Sequence, residues 1–115
     1  MKQKLVIIAG VRTPFTRMGT DLANLSASDL GRHAVASLLD CTAIDPGVIS
    51  EVIMGCVGQP ADSANIARVI ALRSGIPKEV PACTVNRNCA SGMESLTTAH
   101  QRMCAGMGDC FIVGG

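Results

Sequence analysis

Short apolar runs alternate with longer amphipathic segments along the whole chain. Four mostly apolar runs predict β-strands, at residues 4–9, 51–57, 82–86 and 110–113. Apolar residues spaced three and four apart predict helices over residues 26–40, 63–73 and from 88 or 89 to about 106. Apolar strands that alternate with helices are typical of a parallel sheet covered by helices. We therefore predict an α/β fold in βαβαβαβ order, with all 115 residues in one domain.

Local signals support the predicted helix ends. Ser26 and Asp29 have the spacing of a capping box at the start of the first helix. Ser63 is the predicted cap of the second helix, and Asp45-Pro46-Gly47 predicts a turn or the first turn of a short helix.

Composition narrows the class of protein. The net charge is +1, 48% of the residues are apolar, and the aromatic residues are Phe15 and Phe111, without Trp or Tyr. This favours a globular protein with an aliphatic core and argues against a nucleic-acid binder, which usually carries a basic patch. The first apolar run is too short for a signal peptide or membrane span, so we expect a cytoplasmic protein that does not contact membranes.

The chain has six cysteines and two histidines. No cysteine pair has the Cys-x-x-Cys spacing of a redox or zinc site, and neither histidine lies in a ligand pattern, so we expect reduced thiols and no metal. Five cysteines are expected to serve packing only: Cys41, Cys56, Cys83, Cys104 and Cys110.

The stretch from Pro81 to Gly92 is the candidate for chemistry, because it predicts a strand, a sharp turn and a helix that begins at Cys89. The helix is predicted to bury one stripe, made of Cys89, Met93, Leu96, His100, Met103, Cys104 and Met107. The positive end of a helix favours a thiolate, and free N–H groups in the first turn can hold a developing oxyanion. Small residues at 90–92 allow a substrate carbonyl to approach. Cys89 is thus a candidate for covalent acyl transfer, although by this pattern alone a structural cysteine is favoured.

Four stretches, taken together and in order, resemble the thiolase family. Residues 84–93, Thr-Val-Asn-Arg-Asn-Cys-Ala-Ser-Gly-Met, are similar to the segment around the nucleophilic cysteine of thiolases. The other three are Arg12-Thr13-Pro14-Phe15, Asn65-Ile66-Ala67-Arg68 and Phe111-Ile112-Val113-Gly114-Gly115. The Cys-Ala-Ser-Gly segment distinguishes the chain from ketoacyl synthases, which share the fold. The resemblance identifies residues 1–115 as a partial thiolase amino-terminal domain.

The resemblance implies ping-pong acyl transfer between coenzyme A thioesters. Cys89 would be the acyl-accepting nucleophile, and its backbone N–H would form half of an oxyanion hole. A 3-ketoacyl-CoA would be split, or two acetyl-CoA molecules condensed; coenzyme A thioesters would be substrates, and no cofactor would be bound. Membership also implies a homo-oligomer, either a dimer or a tetramer.

Several family features lie further along than this chain extends: the histidine of a Gly-His-Pro motif, an Asn-Glu-Ala-Phe stretch, the second cysteine of Cys-x-Gly and the coenzyme A loops. His100 is about 16 Å from Cys89 along the same predicted helix, too far to act as its base. His33 is expected at the surface or the core edge. We expect the isolated chain to be inactive for lack of these partners.

Two alternatives to an enzyme stay open. A truncated thiolase remnant could act as an oligomerisation or interaction module, and a reactive Cys89 could serve thiol redox chemistry. For Arg68, a surface or interface ion pair is favoured over phosphate binding.

Overall fold

The computed structural model describes residues 4–115. The α-helices are α1 (Ala27–Thr42), α2 (Ile66–Arg73) and α3 (Ser91–Cys104), and a short 3₁₀ helix spans Pro46–Val48. The strands are β1 (Glu51–Gly55), β2 (Ala82–Val85) and β3 (Phe111–Gly114). The predicted capping box is present: the Ser26 hydroxyl accepts from the Asp29 N–H, and the Asp29 carboxylate accepts from the Ser26 N–H. Asn65 rather than Ser63 caps α2.

The three strands form one parallel sheet in the order β2-β1-β3. The central strand is covered on both faces. Val52 and Met54 join the apolar cluster formed with α2 and α1. Glu51 and Ile53 lie on the opposite face, which α3 covers, and the Glu51 carboxylate pairs with Arg102 of that helix. The predicted α/β class and parallel sheet are confirmed.

The predicted first strand is wrong for the described residues. Residues 4–9 form no strand, and Val6, Ile7 and Ile8 are 74%, 71% and 72% exposed. The segment instead lines one side of a groove of about 400 Å³, with β3 and apolar side chains of α1 and α3 also in its lining. A strand needs a neighbour to pair its backbone groups. Residues 4–9 have none, so an apolar run alone does not make them a strand.

Candidate active site

Cys89 lies in the turn that leads from β2 to α3, at the carboxyl edge of the parallel sheet. The helix begins at Ser91 with Ala90 as its N-cap, so Cys89 precedes the helix and the prediction that α3 opens at Asn88 or Cys89 is wrong. Asn88 has a φ of 48°, in the left-handed region, and a helix cannot run through that backbone. The candidate nucleophile is therefore held by a turn before the helix.

Short hydrogen bonds within the turn fix its shape. The buried Ser91 hydroxyl accepts from the Arg87 N–H at 2.8 Å and donates to the Asn88 carbonyl at 2.6 Å. The Asn86 side chain accepts from the Asn88 N–H at 2.9 Å, and the Ala90 N–H donates to the Arg87 carbonyl at 3.0 Å. Cys89 thus sits at the tip of a closed loop whose two ends are joined by the Ser91 hydroxyl and by backbone hydrogen bonds.

Glycines bring this loop and the start of α3 close to the strand ends. A Cβ at Gly55, the last residue of β1, would lie 2.3 Å from the carbonyl carbon and oxygen of Ser91. A Cβ at Gly115 would lie 2.6 Å from the Cα of Gly92. Neither distance is compatible with a side chain, so the amino end of α3 rests directly on the backbone at the carboxyl ends of β1 and β3.

The Cys89 side chain is exposed, and none of the side chains at residues 4–115 hydrogen-bonds its thiol. Beside it, Arg87 and Glu94 form an ion pair at 2.8 Å that links the turn to the first turn of α3. Cys89 lines neither the groove beside residues 5–9 nor a second groove between residues 9–13 and the carboxyl ends of β1 and β3. Within these residues the thiol is accessible and has no acid–base partner.

The buried face of α3 differs from the predicted one. The helix buries three small residues, Ser91, Ser95 and Ala99, against the sheet. Two members of the predicted stripe, Met93 and Met107, are 63% and 64% exposed, and Cys89 and Cys104 are also exposed. Small side chains allow the helix axis to approach the sheet closely, and the larger side chains one step round the helix are left at the surface or along the groove.

The other cysteine in the stretch from Pro81 to Gly92 is Cys83, which the sequence analysis assigned to packing. It lies half-buried in β2, and the Arg102 guanidinium, itself paired with Glu51, donates to its sulfur at 3.5 Å. Burial raises the pKa of the Cys83 thiol, with a smaller opposing effect from Arg102, so Cys83 stays protonated at neutral pH. The hydrogen bond from Arg102 to Glu51 raises the pKa of Arg102 and keeps this guanidinium charged.

The remaining candidate residues lie in other contacts. His33 is exposed and bonded to Arg32, and the His100 ring contacts Cys104 at 3.6 Å. Arg68 makes no ion pair among residues 4–115 and donates to the carbonyls of Val80 and Lys78, at 2.8 and 2.9 Å.

The four remaining cysteines also carry free thiols. Cys56 and Cys110 are half-buried beside the apolar core, whereas Cys41 and Cys104 are exposed. In the described part of the chain, no group of three or more His, Cys, Asp or Glu side chains could hold a metal ion. Among the same residues, no helix is long and apolar enough to cross a membrane.

Sequence reasoning missed two residues that fix the position of the turn carrying Cys89. Ser91 and Gly55 were not recognised as neighbours, although both are polar or small residues placed at the end of an element. The only available signal was local, since Asn tolerates the left-handed backbone that Asn88 adopts and Ser favours helix starts.

This structure defines an α/β protein with an exposed cysteine in a closed turn at the carboxyl edge of a parallel sheet. The chain belongs to the thiolase family: residues 5–115 match the family described as "Thiolase, N-terminal domain". The 3-ketoacyl-CoA thiolase of Pseudoalteromonas translucida is 42% identical over 113 residues, which are 96% of this chain and 29% of that protein. The resemblance drawn from the four sequence stretches is confirmed.

Solved structures agree with this assignment. An acetyl-CoA acetyltransferase of Bacillus anthracis superposes with a TM-score of 0.91 at 33% identity, over 96% of this chain and 28% of that one. Human mitochondrial 3-ketoacyl-CoA thiolase superposes with a TM-score of 0.85 at 36% identity, over 90% of this chain and 27% of that one. The chain therefore spans less than a third of the length of the relatives that it matches.

Proposed function

We propose that this protein is a thiolase-type acyltransferase, which moves acyl groups between coenzyme A thioesters with Cys89 as the acyl-accepting nucleophile. The observation that supports this most is the position of Cys89: an exposed thiol at the tip of a closed turn, directly before a helix, in a chain that belongs to the thiolase family. Relatives named 3-ketoacyl-CoA thiolase and acetyl-CoA acetyltransferase favour coenzyme A thioesters as the substrate class.

The proposed chemistry begins with loss of the Cys89 proton to a base. The thiolate attacks the thioester carbonyl of acetyl-CoA or, in thiolysis, the 3-keto carbonyl of a 3-ketoacyl-CoA. The tetrahedral intermediate carries its negative charge on oxygen, where the Cys89 backbone N–H supplies one donor. The carbon–sulfur bond to coenzyme A, or in thiolysis the carbon–carbon bond of a 3-ketoacyl-CoA, then breaks, and the leaving group takes up a proton. A coenzyme A thiol, or the carbanion of an acetyl-CoA, finally accepts the acyl group and releases Cys89.

Among residues 4–115, no side chain hydrogen-bonds the Cys89 thiol to take its proton. We propose that the base, a second cysteine and the coenzyme A loops come from sequence that corresponds to the rest of the relatives' length. A homo-oligomeric state, a cytoplasmic location and a role in fatty acid metabolism belong to the same proposal.

Substitution of the thiol tests the proposal. In protein expressed from its complete reading frame, Cys89→Ala should lower acetoacetyl-CoA thiolysis by at least about 1,000-fold, because the covalent route is lost. Cys104→Ala is the matched control, since Cys104 is also exposed and lies at the far end of α3, and it should keep activity within about twofold. Thiolysis that survives Cys89→Ala would rule out the proposed nucleophile.

The second candidate is a non-catalytic thiolase remnant that works as an oligomerisation or interaction module. It is favoured by the exposed apolar residues Val6, Ile7 and Ile8, and by the absence of an acid–base partner at Cys89 among residues 4–115. The two candidates differ in one measurable respect: a remnant associates with other chains but shows no thiolysis that depends on Cys89.

A further inference from the structure

The Ser91 hydroxyl joins both ends of the turn that carries Cys89. Ser91 is 4% exposed, and its oxygen both accepts from the Arg87 N–H and donates to the Asn88 carbonyl. Arg87 and Asn88 are exposed residues, so the buried member of this arrangement is Ser91. Removal of the hydroxyl leaves the Arg87 N–H without this partner and leaves the Asn88 carbonyl with the Ser91 N–H alone.

The geometry of the turn depends on these two bonds. Asn88 holds a left-handed backbone, which an L-residue other than glycine adopts at an energetic cost unless surrounding contacts maintain it. Its carbonyl is held by the Ser91 hydroxyl at 2.6 Å and by the Ser91 N–H at 3.1 Å. Both contacts come from the first residue of α3, so the helix start sets the backbone conformation immediately before Cys89.

We infer that Ser91 is a positioning residue for Cys89, acting through the turn and making no contact with the substrate. This inference rests on the proposed function, because it matters for catalysis only if Cys89 is acylated. The hydroxyl keeps the thiol at the amino end of α3, where the helix dipole favours an anion. A loosened turn would move the sulfur away from that place, and displacements of about 1 Å can lower rates by about 100-fold.

Ser95 provides a matched control on the same helix. It is fully buried, and its hydroxyl also donates a 2.6 Å hydrogen bond, but to the Gly92 carbonyl within α3 and not to the turn. Ser91→Ala and Ser95→Ala thus remove the same group from the same buried face. If both variants lose similar thermal stability but only Ser91→Ala changes the reactivity of Cys89, the effect on Cys89 comes from the turn and not from helix packing.

The experiment compares iodoacetamide labelling of individual cysteines by peptide mass spectrometry, in protein expressed from its complete reading frame. The rate at Cys89 is divided by the rate at Cys104 in the same molecule, and labelling of the half-buried Cys56 and Cys110 reports general loosening. We expect Ser91→Ala to lower this ratio at least about threefold, with Ser95→Ala within about 1.5-fold of wild type and Cys56 and Cys110 unchanged in both. An unchanged ratio in Ser91→Ala, or an equal fall in Ser95→Ala, would overturn the positioning role.

Two further measurements keep the outcomes separate. Acylation of Cys89 by acetyl-CoA should fall about tenfold or more in Ser91→Ala; if wild type forms no acyl adduct, the proposed function fails, while the labelling ratio still decides the role of Ser91. If Ser91→Ala does not fold, the exposed Asn86→Ala removes a different hydrogen bond of the same turn and should lower the labelling ratio about twofold. If the labelling ratio is unchanged in every one of these variants that folds, the inference is contradicted.

Discussion

Asn88 is the residue whose backbone determines how the chain leaves β2 and presents Cys89. Its φ of 48° turns the chain out of the sheet before α3 begins, and contacts from Ser91 hold that conformation. The thiol of Cys89 could be identified as a candidate from the sequence, because its motif consists of adjacent residues and can be recognised without knowledge of tertiary contacts. Ser91 could not be assigned in the same way, since its role depends on a hydroxyl that reaches back three and four residues to the backbone.

Asp29 gives a pH-dependent prediction at the residue scale. A hydrogen bond from the Ser26 N–H, and to a smaller extent one from the Arg73 side chain, hold the pKa of the Asp29 carboxyl well below its usual range. A folded-state pKa below the unfolded value means that Asp29 contributes stability above about pH 4, and that this contribution is lost as the pH falls below about 4. Asp29→Asn should therefore lower the Tm at pH 7, and the difference from wild type should narrow as the pH is lowered below 4.

The control for this prediction is Asp40→Asn, on the same helix. Among residues 4–115, Asp40 makes no ion pair or side-chain hydrogen bond, so its substitution should leave the Tm at pH 7 close to that of wild type. Thermal unfolding by circular dichroism across this pH range measures both variants. A difference for Asp29→Asn that stays constant from pH 7 to pH 3 would contradict the assigned contact.

The helices and the three strands of the sheet follow the predicted pattern at the element scale, with ends that differ by a few residues. The spacing of apolar residues was sufficient to predict these elements, because each one packs its apolar face against elements that are near it in the chain. The buried face of α3 was not predictable in the same way. The spacing of apolar residues predicts that the large side chains are buried. Because α3 lies close to the sheet, the residues that it buries are the small ones, Ser91, Ser95 and Ala99.

The contact between β1 and α3 supports a second prediction. Gly55→Ala would place a Cβ 2.3 Å from the Ser91 backbone, so the amino end of α3 must shift away from the sheet. We expect a loss of about 1–3 kcal/mol in the free energy of unfolding, together with slower acylation of Cys89. Chemical denaturation measures the first effect, and adduct formation with acetyl-CoA measures the second.

Gly58→Ala is the matched control for Gly55→Ala. No atom lies within 4 Å of a Cβ built at Gly58, three residues further along the same segment, so this variant should unfold within about 0.5 kcal/mol of wild type. Equal effects of the two substitutions would show that the close approach of α3 to β1 has no particular importance.

At the scale of the whole molecule, residues 4–115 leave apolar side chains exposed beside β3. Val6, Ile7 and Ile8 are more than 70% exposed, and they share the groove beside β3 with Met93 and Leu96 of α3. The sequence analysis placed these apolar residues in a β-strand, which the structure does not contain. Pairing depends on which chain segment lies alongside, and the apolar run itself carries no information about that segment.

We expect the 115-residue chain, expressed by itself, to associate or aggregate, because exposed apolar patches of this kind favour contact with other molecules. Replacement of Val6 and Ile8 by serine should reduce the mass measured by light scattering. Val48→Ser, a change at a 55% exposed valine outside the groove, should not reduce it. A monomeric mass with cooperative thermal unfolding in the unmodified chain would contradict this expectation.

The most direct test of the central claim is to trap the acyl group on Cys89. Protein expressed from its complete reading frame is mixed with acetyl-CoA, quenched in acid without a second substrate, and digested for peptide mass spectrometry. The proposed function predicts one acetyl group, about 42 Da, on the peptide that contains Cys89, and none on the peptides of Cys41 or Cys104, although both thiols are also exposed. An unmodified Cys89, or equal modification of all three exposed cysteines, would contradict the proposal that this turn holds the acyl-accepting nucleophile.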